Sequence, residues 1–508
     1  MASVDPSSLL TGRKRALAGA ALAAANLMVV LDMTIANVSV PHISGNLGIS
    51  ASQGTWVITS YAVAEAICLP LTGWLSQRIG TVRLFILSVL GFGLFSILCG
   101  LSPTLGVLVV ARIGQGVCGG PLVPLTQTLL MRIYPPEKRP QAMGIWAITT
   151  LTGPALGPIM GGFISDNWSW HWIFFINMPI VAFCAGISYA MLRQAETPVV
   201  RIPIDKIGIA LLVLWIGCLQ IMLDIGREHD WFADPMVLGL GIAAAIFFIL
   251  FIVWELTDEH PVVDLRIFRY RGFTLSAFTL ALGFGAYFAG IVVIPQWMQL
   301  SLGYTATQAG FATAFTAIAA LFVARFPPLL MGKMDARFVL SFGLIWLGGS
   351  TLLRTNWTSG ADFWSLAMPQ FIMGIGMPFF FVTVTSISLS SVPPQMVTSA
   401  ASLQNLLRTI ALAFSTSVVV TFWNDQARMF GSDLSGNVNP DSMTATLTER
   451  GFSSEQIRTM IAQLVDKEAL TLATDKVFLV TGSLLIAITA LVWLAPRPKI
   501  SGPPRGGH

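Results

Sequence analysis

Fourteen apolar runs, each long enough to cross a bilayer as a helix, constrain this chain more than any other feature of its sequence. A span needs about 20 predominantly apolar residues. The runs fall at 16–40, 55–75, 84–102, 105–131, 142–165, 171–192, 207–226, 235–256, 274–300, 308–332, 338–353, 365–390, 401–423 and 476–495. In hydrocarbon every backbone polar group must be bonded within the protein, so runs of this length can span only as helices. Charged residues make up 11% of the 508 and hydrophobic residues 54%, whereas soluble domains carry about 25% charged residues. The fold class expected is therefore an all-α polytopic membrane protein. All five cysteines lie inside apolar runs with no CxxC pair, which points away from disulfides and zinc. Arg13, Lys14 and Arg15 precede an alanine-rich run in the manner of a signal peptide, but that run continues to about Pro41 and reads as an uncleaved first span.

Most Lys and Arg residues fall on the side of the N-terminus, whereas the short loops opposite hold only Arg227 and Arg354. Positive charge is retained on the cytoplasmic side, which places both termini there. The chain also repeats itself. Leu47 to Gly54 (LGISASQG) is matched by Leu302 to Gly310 (LGYTATQAG), and Gly116, Pro135 and Pro136 are matched by Gly374, Pro393 and Pro394. The expected organisation is a six-helix half (1–200), an inserted helix pair (201–264) and a second six-helix half (265–508), the last holding a long outer segment at 424–475. Within that segment Ser453 and Gln456 form a capping-box pattern ahead of Ile457, Ile461, Leu464 and Val465 at helical spacing, which predicts a short amphipathic helix. Two readings of it stand: a helix lying on its own transporter or the lipid surface, or one that docks a partner protein.

The fifth run carries GPALGPIMGGF. Gly153, Gly157 and Gly161 share one helix face, with Gly162 beside them, and offer a neighbouring helix a bare backbone. Pro154 and Pro158 follow the same spacing and predict a bent helix. A general packing face is the plain alternative. At the repeat offset, however, Gly153, Pro154 and Pro158 meet Ala411, Leu412 and Thr416, so the second half lacks the pattern. This favours a seal and hinge for exchange.

Charges inside spans are costly and mark functional sites by default. Desolvation disfavours a charged carboxylate, so Asp32 and Glu65 could hold a proton in one state and release it in another. The alternatives are static pairing for Asp32 and a polar cavity wall for Glu65. Arg112 keeps its charge at any relevant pH, and would either load and unload a nearby acid or pin helices through backbone carbonyls. Arg408 with Asn405, and Gln115 in the first half, read as polar cavity lining, and Asp224 as an interfacial carboxylate at the cavity's edge. Tyr287 and Phe288, with Trp56, Tyr61 and Phe284, could wall a cavity, although aromatics on helices also serve simply to pack. A cytoplasmic gate is expected where Gly73, Arg78, Gly80 and Arg83 in one half answer Asp335 and Arg337 in the other. No GxxxxGK[ST], HExxH, GxSxG or clustered histidine set occurs, so neither an enzyme nor direct ATP drive is indicated.

With these residues in view, the chain resembles the fourteen-span drug:proton antiporter family of the major facilitator superfamily, and its EmrB-type members closely. The resemblance rests on LDMTIANVSVP with Asp32, RIGQG with Arg112, Gln115 and Gly116, GPALGPIMGG, WIFFINMP and LQIMLDIGREHDW. It implies the major facilitator fold with helices arranged 6+2+6 in the inner membrane. It also implies export of lipophilic drugs in exchange for protons, with no cofactor and no nucleic-acid partner. A periplasmic adaptor and an outer-membrane channel are the implied protein partners. The alternative is a dedicated proton-coupled exporter or importer of one metabolite, such as a fatty acid or siderophore. The loop after span two departs from the superfamily pattern: Gln77 stands where an acid is usual and Val82 where a base is usual, which puts a latch built on that acid in doubt.

Overall fold

The computed structural model describes residues 10–200, 203–226, 229–437 and 452–495, which fold into helices and short connections with no strand among them. The first part of the chain forms α1 (Gly12–Leu47), α2 (Ala51–Ile79), α3 (Thr81–Gly100), α4 (Leu105–Gly119) and α5 (Leu122–Ile133), then α6 (Arg139–Asn167), α7 (Trp172–Phe175) and α8 (Asn177–Leu192). The pair α9 (Lys206–Ile225) and α10 (Pro235–Thr257) follows. The remainder forms α11 (Arg271–Ser301), α12 (Ala306–Val323), α13 (Phe326–Met331), α14 (Ala336–Leu352), α15 (Phe363–Ser390), α16 (Val397–Asn437) and α17 (Ser454–Leu494). Among the described residues thirteen helical segments are long and apolar enough to cross a membrane. The glycine- and threonine-rich α6 is not one of them, yet it is an unbroken helix of 29 residues. The side chains of Pro154 and Pro158 lie outside the described residues.

Several expected boundaries move. The fourth run divides into α4 and α5 at Gly119 to Pro121, and the tenth into α12 and α13 ahead of Pro327 and Pro328. Proline lacks the donor that would carry the helix through and is favoured at the start of the next one. The separate amphipathic helix expected in the outer segment is instead the beginning of α17. Ser453 and Gln456 do form the capping box, but the helix then runs 41 residues to Leu494. Its neighbour α16 also has 41 residues, and the Trp423 indole donates to Thr474 Oγ1 at 2.9 Å between the two. Two long helices packed on each other continue as helix through the polar residues that break the hydropathy pattern. Residues 438–451, within the outer segment, lie outside the described part.

Both copies of the repeat fold alike. Gly48 and Gly303 take positive φ (64° and 72°), and capping boxes at Ser50/Gln53 and Thr305/Gln308 open the next helix in each copy. Deeper in, Gly116 on α4 closes on Tyr61 O and the Ala64 Cβ of α2, while Gly374 on α15 closes on Thr316 O and the Ala319 Cβ of α12. The two parts of the chain meet where α2 packs on α16 and α6 on α12, and the α9–α10 pair lies against α2 and α16.

A seam of three glycines joins α1 to α6. A Cβ on Gly153 would fall 2.9 Å from Val30 Cβ, one on Gly157 3.0 Å from the Thr34 carbonyl carbon, and one on Gly161 3.0 Å from Ile35 O. Asn26 adds hydrogen bonds to Thr149 Oγ1 (2.7 Å) and Thr150 Oγ1 (2.9 Å), and the Ser39 and Ser165 hydroxyls meet at 2.9 Å. Gly162 points away from this seam, with nothing within 4 Å of its Cβ position. Gly157→Leu is accordingly expected to destabilise the protein by about 1–3 kcal/mol through overpacking. Gly162→Ala should be neutral or stabilising by up to about 1 kcal/mol. Denaturant midpoints of both variants in detergent micelles check the contrast.

Candidate functional site

Asp32, on α1, is 3% exposed and Arg112, on α4, is fully buried. Missing side chains let these helices meet: Cβ atoms on Gly116 and Gly120 would collide with the α2 backbone at Tyr61 O and Glu65 O, so α4 lies directly on α2. Arg112 is thereby pressed into the first half, where its Nη1 donates to Asp32 Oδ2 at 2.6 Å and its Nε to Val57 O at 2.9 Å. Gln115 Nε2 donates to Asp32 Oδ1 at 2.9 Å, and its Oε1 accepts from Arg112 Nη1 at 2.8 Å. Asn177 Nδ2, on α8, donates to the same Asp32 oxygen at 2.9 Å, and both amides reach Ser96 Oγ on α3. The guanidinium lies 4.2 Å from the Tyr61 ring centroid and 5.7 Å from that of Phe174. Asp32 thus accepts three bonds, one of them charged, and joins α1, α3, α4 and α8. Arg112 Nη2 has no partner.

Glu65 is 6% exposed and makes no hydrogen bond among the described residues. It lies within electrostatic range of Arg408, on α16 in the other half, and of Arg112. Arg408 is half-buried, its guanidinium 5.6 Å from the Trp146 ring and 5.4 Å from the Phe284 ring. Near it Asn405 Nδ2 donates to Gln127 Oε1 at 2.6 Å, a polar contact between the two halves. Glu65 and Arg408 are therefore brought near each other at the interface of the halves, with Asn405 one helical turn from Arg408, and Glu65 also lies within electrostatic range of Asp32. Asp224 lies elsewhere, half-buried on α9, accepting a hydrogen bond from Thr59 Oγ1. Tyr287 is buried in the second half, where it lines a small cavity, and Phe288 packs half-buried against the core.

At the end of the bundle where α2 turns into α3, Gly73 packs on Ser399 of α16, and Arg78 lies over the Trp74 ring. Gly80 turns with φ 98°, and a Cβ there would fall 2.7 Å from the Glu196 carboxyl carbon. Glu196 occupies the start of α3: its carboxylate accepts from Val82 N (2.9 Å) and Arg83 N (2.8 Å), while Thr197 Oγ1 accepts from Thr81 N (2.9 Å). A carboxylate at a helix N-terminus satisfies orphan donors and suits the dipole. This pairing was not legible in the sequence, which has Gln77 at the usual acid position. Gln77 contributes its carbonyl, accepting from Val200 N at 2.9 Å. In the second half Asp335 caps α14 through Arg337 N, with the Arg337 Nε 4.0 Å away.

Arg354 corrects an expectation: it belongs to no exposed loop but is 1% exposed, in a short 3-10 turn after α14. Asn177 and Ser96 were also missed, although Asn177 stands within the WIFFINMP stretch, the one sequence signal that could have found it.

The profile of the Major Facilitator Superfamily matches residues 22–416. The sequence is 41% identical to the multidrug export protein EmrB of Escherichia coli, covering 98% of each chain. It is also 41% identical to the fatty acid resistance protein FarB of Neisseria gonorrhoeae, covering 97% of this chain and 99% of that one. The fold matches a crystal structure of the peptide transporter POT with a TM-score of 0.59, over 97% of this chain and 100% of the other, at 16% identity.

Breaking a buried ion pair by removing one partner strands the other, at a cost of about 3–5 kcal/mol. Asp32→Asn and Arg112→Gln should each lose that much stability. The double variant should lose far less than their sum, because neither leaves a buried charge behind. Unfolding midpoints of the three variants in micelles measure this coupling.

Proposed function

The chain belongs to the Major Facilitator Superfamily and is a multidrug efflux transporter of that superfamily; from this premise we propose that it exports lipophilic compounds in exchange for inward-moving protons. The observation that carries the reading is the Asp32 carboxylate held by Arg112, Gln115 and Asn177 in a dry pocket. An ionised Asp32 keeps α1, α4 and α8 tied together. Protonation removes the charge that Arg112 neutralises, so the bonded cluster is favoured in one protonation state only. Its lock on α1 then opens and closes with the proton.

The α1–α6 glycine seam acts as seal and hinge. Glu65 faces Arg408 across the halves and is the second proton-responsive group, since relative motion of the halves changes the charge it sees. Gln115 serves the Asp32 cluster, whereas Asn405, Arg408 and the aromatic residues Phe284 and Phe288 lie along the substrate path. Asp224 tethers the inserted pair to α2. The Glu196 cap on α3 takes the place of the acid missing at Gln77 in holding the cytoplasmic side, with Asp335 and Arg337 its counterpart. No cofactor is required. One proton moving through 100 mV yields about 2.3 kcal/mol and a pH unit adds about 1.4 kcal/mol. Together these support a substrate gradient of about a few hundred fold. Both termini are cytoplasmic, the membrane is the inner one, and the spans are arranged 6+2+6. The long outer ends of α16 and α17 are the surface offered to a periplasmic adaptor and, through it, an outer-membrane channel.

In proteoliposomes with an imposed proton gradient, the wild type should export a lipophilic dye with measurable proton movement, and Asp32→Asn should abolish both. Retained proton coupling in that variant would sink the assignment. Glu65→Gln should preserve dye binding but alter the pH dependence of transport; an unchanged profile removes Glu65 from the mechanism. The dedicated single-metabolite alternative predicts no dye movement in the wild type.

A further inference from the structure

The inserted pair leaves one face without a helix against it. Along its length α10 packs on α9, whereas a groove of about 840 Å³ separates it from α11 and α16 of the second half. Hydrogen bonds fasten the pair to α16 at one end, where Ser417 Oγ donates to Leu223 O at 2.6 Å and the Trp231 indole to Thr421 Oγ1 at 3.0 Å. From there the groove follows α10 from Leu238 to Ile252, about 21 Å at 1.5 Å per residue. Leu403, Leu407 and Ile410 of α16 form the facing wall, and Leu265 and Phe268, in the 3-10 turn before α11, stand at the far end. Phe232, Leu238, Ile242, Phe248, Phe278 and Phe414 belong to the wall and are exposed, so the groove opens sideways at the level of the spans.

Membrane depth decides what can fill it. The wall is apolar except for the Trp215 indole and Thr274, whose hydroxyl donates to Phe268 O at 2.6 Å. Such a wall lacks the several polar partners that an ordered water needs. The hydrocarbon core of a bilayer is about 30 Å thick, so one leaflet contributes about 15 Å, and the groove is long enough for a whole acyl chain of that leaflet. At the Leu265 end the surface is basic. Arg266 and Arg269 directly follow the wall residues Leu265 and Phe268, and Arg271 precedes Thr274 by nearly one helical turn. All three are exposed, and none forms an ion pair among the described residues. Arg266 Nη2 donates to the Asp258 carbonyl at 3.3 Å, while the neighbouring acids are engaged by backbone: Asp264 Oδ1 accepts from Arg266 N (3.0 Å) and Asp258 Oδ1 from His260 N (2.7 Å). Exposed cations beside an apolar slot between spanning helices suit an anionic lipid headgroup.

We propose that an anionic phospholipid is seated here, with one acyl chain in the groove between α10 and the α11–α16 wall and its phosphate at the surface beside Arg266, Arg269 and Arg271. The chain completes packing that no helix supplies. The phosphate stays outside the groove, where exposed arginines reach it without entering the apolar wall. The lipid thereby joins the inserted pair to the second half at the end remote from the Ser417 and Trp231 bonds. It is a bound constituent of the protein, neither cargo nor proton carrier, and so goes beyond the export reading. Its binding is measured at equilibrium without a proton gradient, and stands or falls apart from proton-coupled export.

The test titrates the purified full-length protein in micelles with phosphatidylglycerol and with phosphatidylcholine of the same acyl chains, reading bound lipid by native mass spectrometry and stability by Tm. Three cations at a membrane surface should make phosphatidylglycerol bind at least about tenfold more tightly than phosphatidylcholine and raise Tm further. Replacing the three together, Arg266→Gln, Arg269→Gln and Arg271→Gln, should level the two lipids. These side chains are exposed, so this variant remains informative if the next one does not fold. Ala245→Trp puts an indole into the groove without touching the charges, and should weaken both lipids by at least about tenfold. Equal affinity for the two lipids in the wild type overturns the proposal, as does a preference that survives loss of the three arginines. Unchanged lipid binding in a folded Ala245→Trp variant overturns it as well. An equal rise in Tm with glycerol phosphate, which has no acyl chain, would leave only a free-anion site. Displacement of bound phosphatidylglycerol by a lipophilic dye would make the groove a cargo entrance, and a dimer lost in Ala245→Trp would make it a contact between copies; each of these outcomes also overturns the proposal.

Discussion

Everything in the first half is arranged around a charge that cannot be discarded. Arg112 stays protonated at any physiological pH, and it lies where no water reaches it. A buried ion pair contributes little net stability, but the loss of one member is expensive. The pair is thus a constraint rather than a glue: any arrangement of α1 and α4 must bring Asp32, or a substitute, to the guanidinium. Gln115, Asn177 and Ser96 remove the remaining freedom by fixing the carboxylate's other oxygen. A proton arriving at Asp32 is the cheapest event that relaxes this constraint, and for that reason the cluster suits coupling.

The glycine seam acts on the same turn of the same helix. Val30, Thr34 and Ile35, the residues against which Gly153, Gly157 and Gly161 close, bracket Asp32 on α1. Thr34 Oγ1 even reaches Gly153 O at 3.2 Å. The segment bearing the acid is therefore clamped by α6 on one side and by the Arg112 cluster on the other. In turn α6 packs on α12 in the other half, so the Asp32 segment, the glycine seam and the interface of the halves are joined by continuous contacts.

Local chemistry was legible in the sequence and distant pairing was not. The repeat could be read because turn glycines and capping boxes need particular residues within a few positions, and Ser50/Gln53 and Thr305/Gln308 fold as their spelling requires. Hydropathy found the spans, yet it ended α16 too early and began α17 too late. Polar residues such as Asp466 and Lys467 interrupt the apolar pattern without interrupting a helix that has a neighbour alongside. Arg354 looked like a loop cation because it follows the last apolar residue of its run. What buries it is Phe478, more than a hundred positions away. Glu196 escaped for the same reason, since its partners Val82 and Arg83 are separated from it by 114 and 113 residues. Among the site residues, Asp32 and Arg112 could be singled out because charge in hydrocarbon is conspicuous on its own, and Gln115 through the RIGQG resemblance. Asn177 and Ser96 are ordinary until the cluster assembles.

The two halves share a scaffold but not its electrostatics. If the buried cluster served only to pack six helices, both copies would be expected to balance their charges, because an unbalanced buried cation is a liability in each. Instead, at the offset that separates Gly48 from Gly303, the place of Asp32 is taken by Tyr287, and a buried cation, Arg354, rides on the segment after α14. Packing geometry has been preserved down to the Gly116 and Gly374 contacts, so the change is one of charge and not of fold.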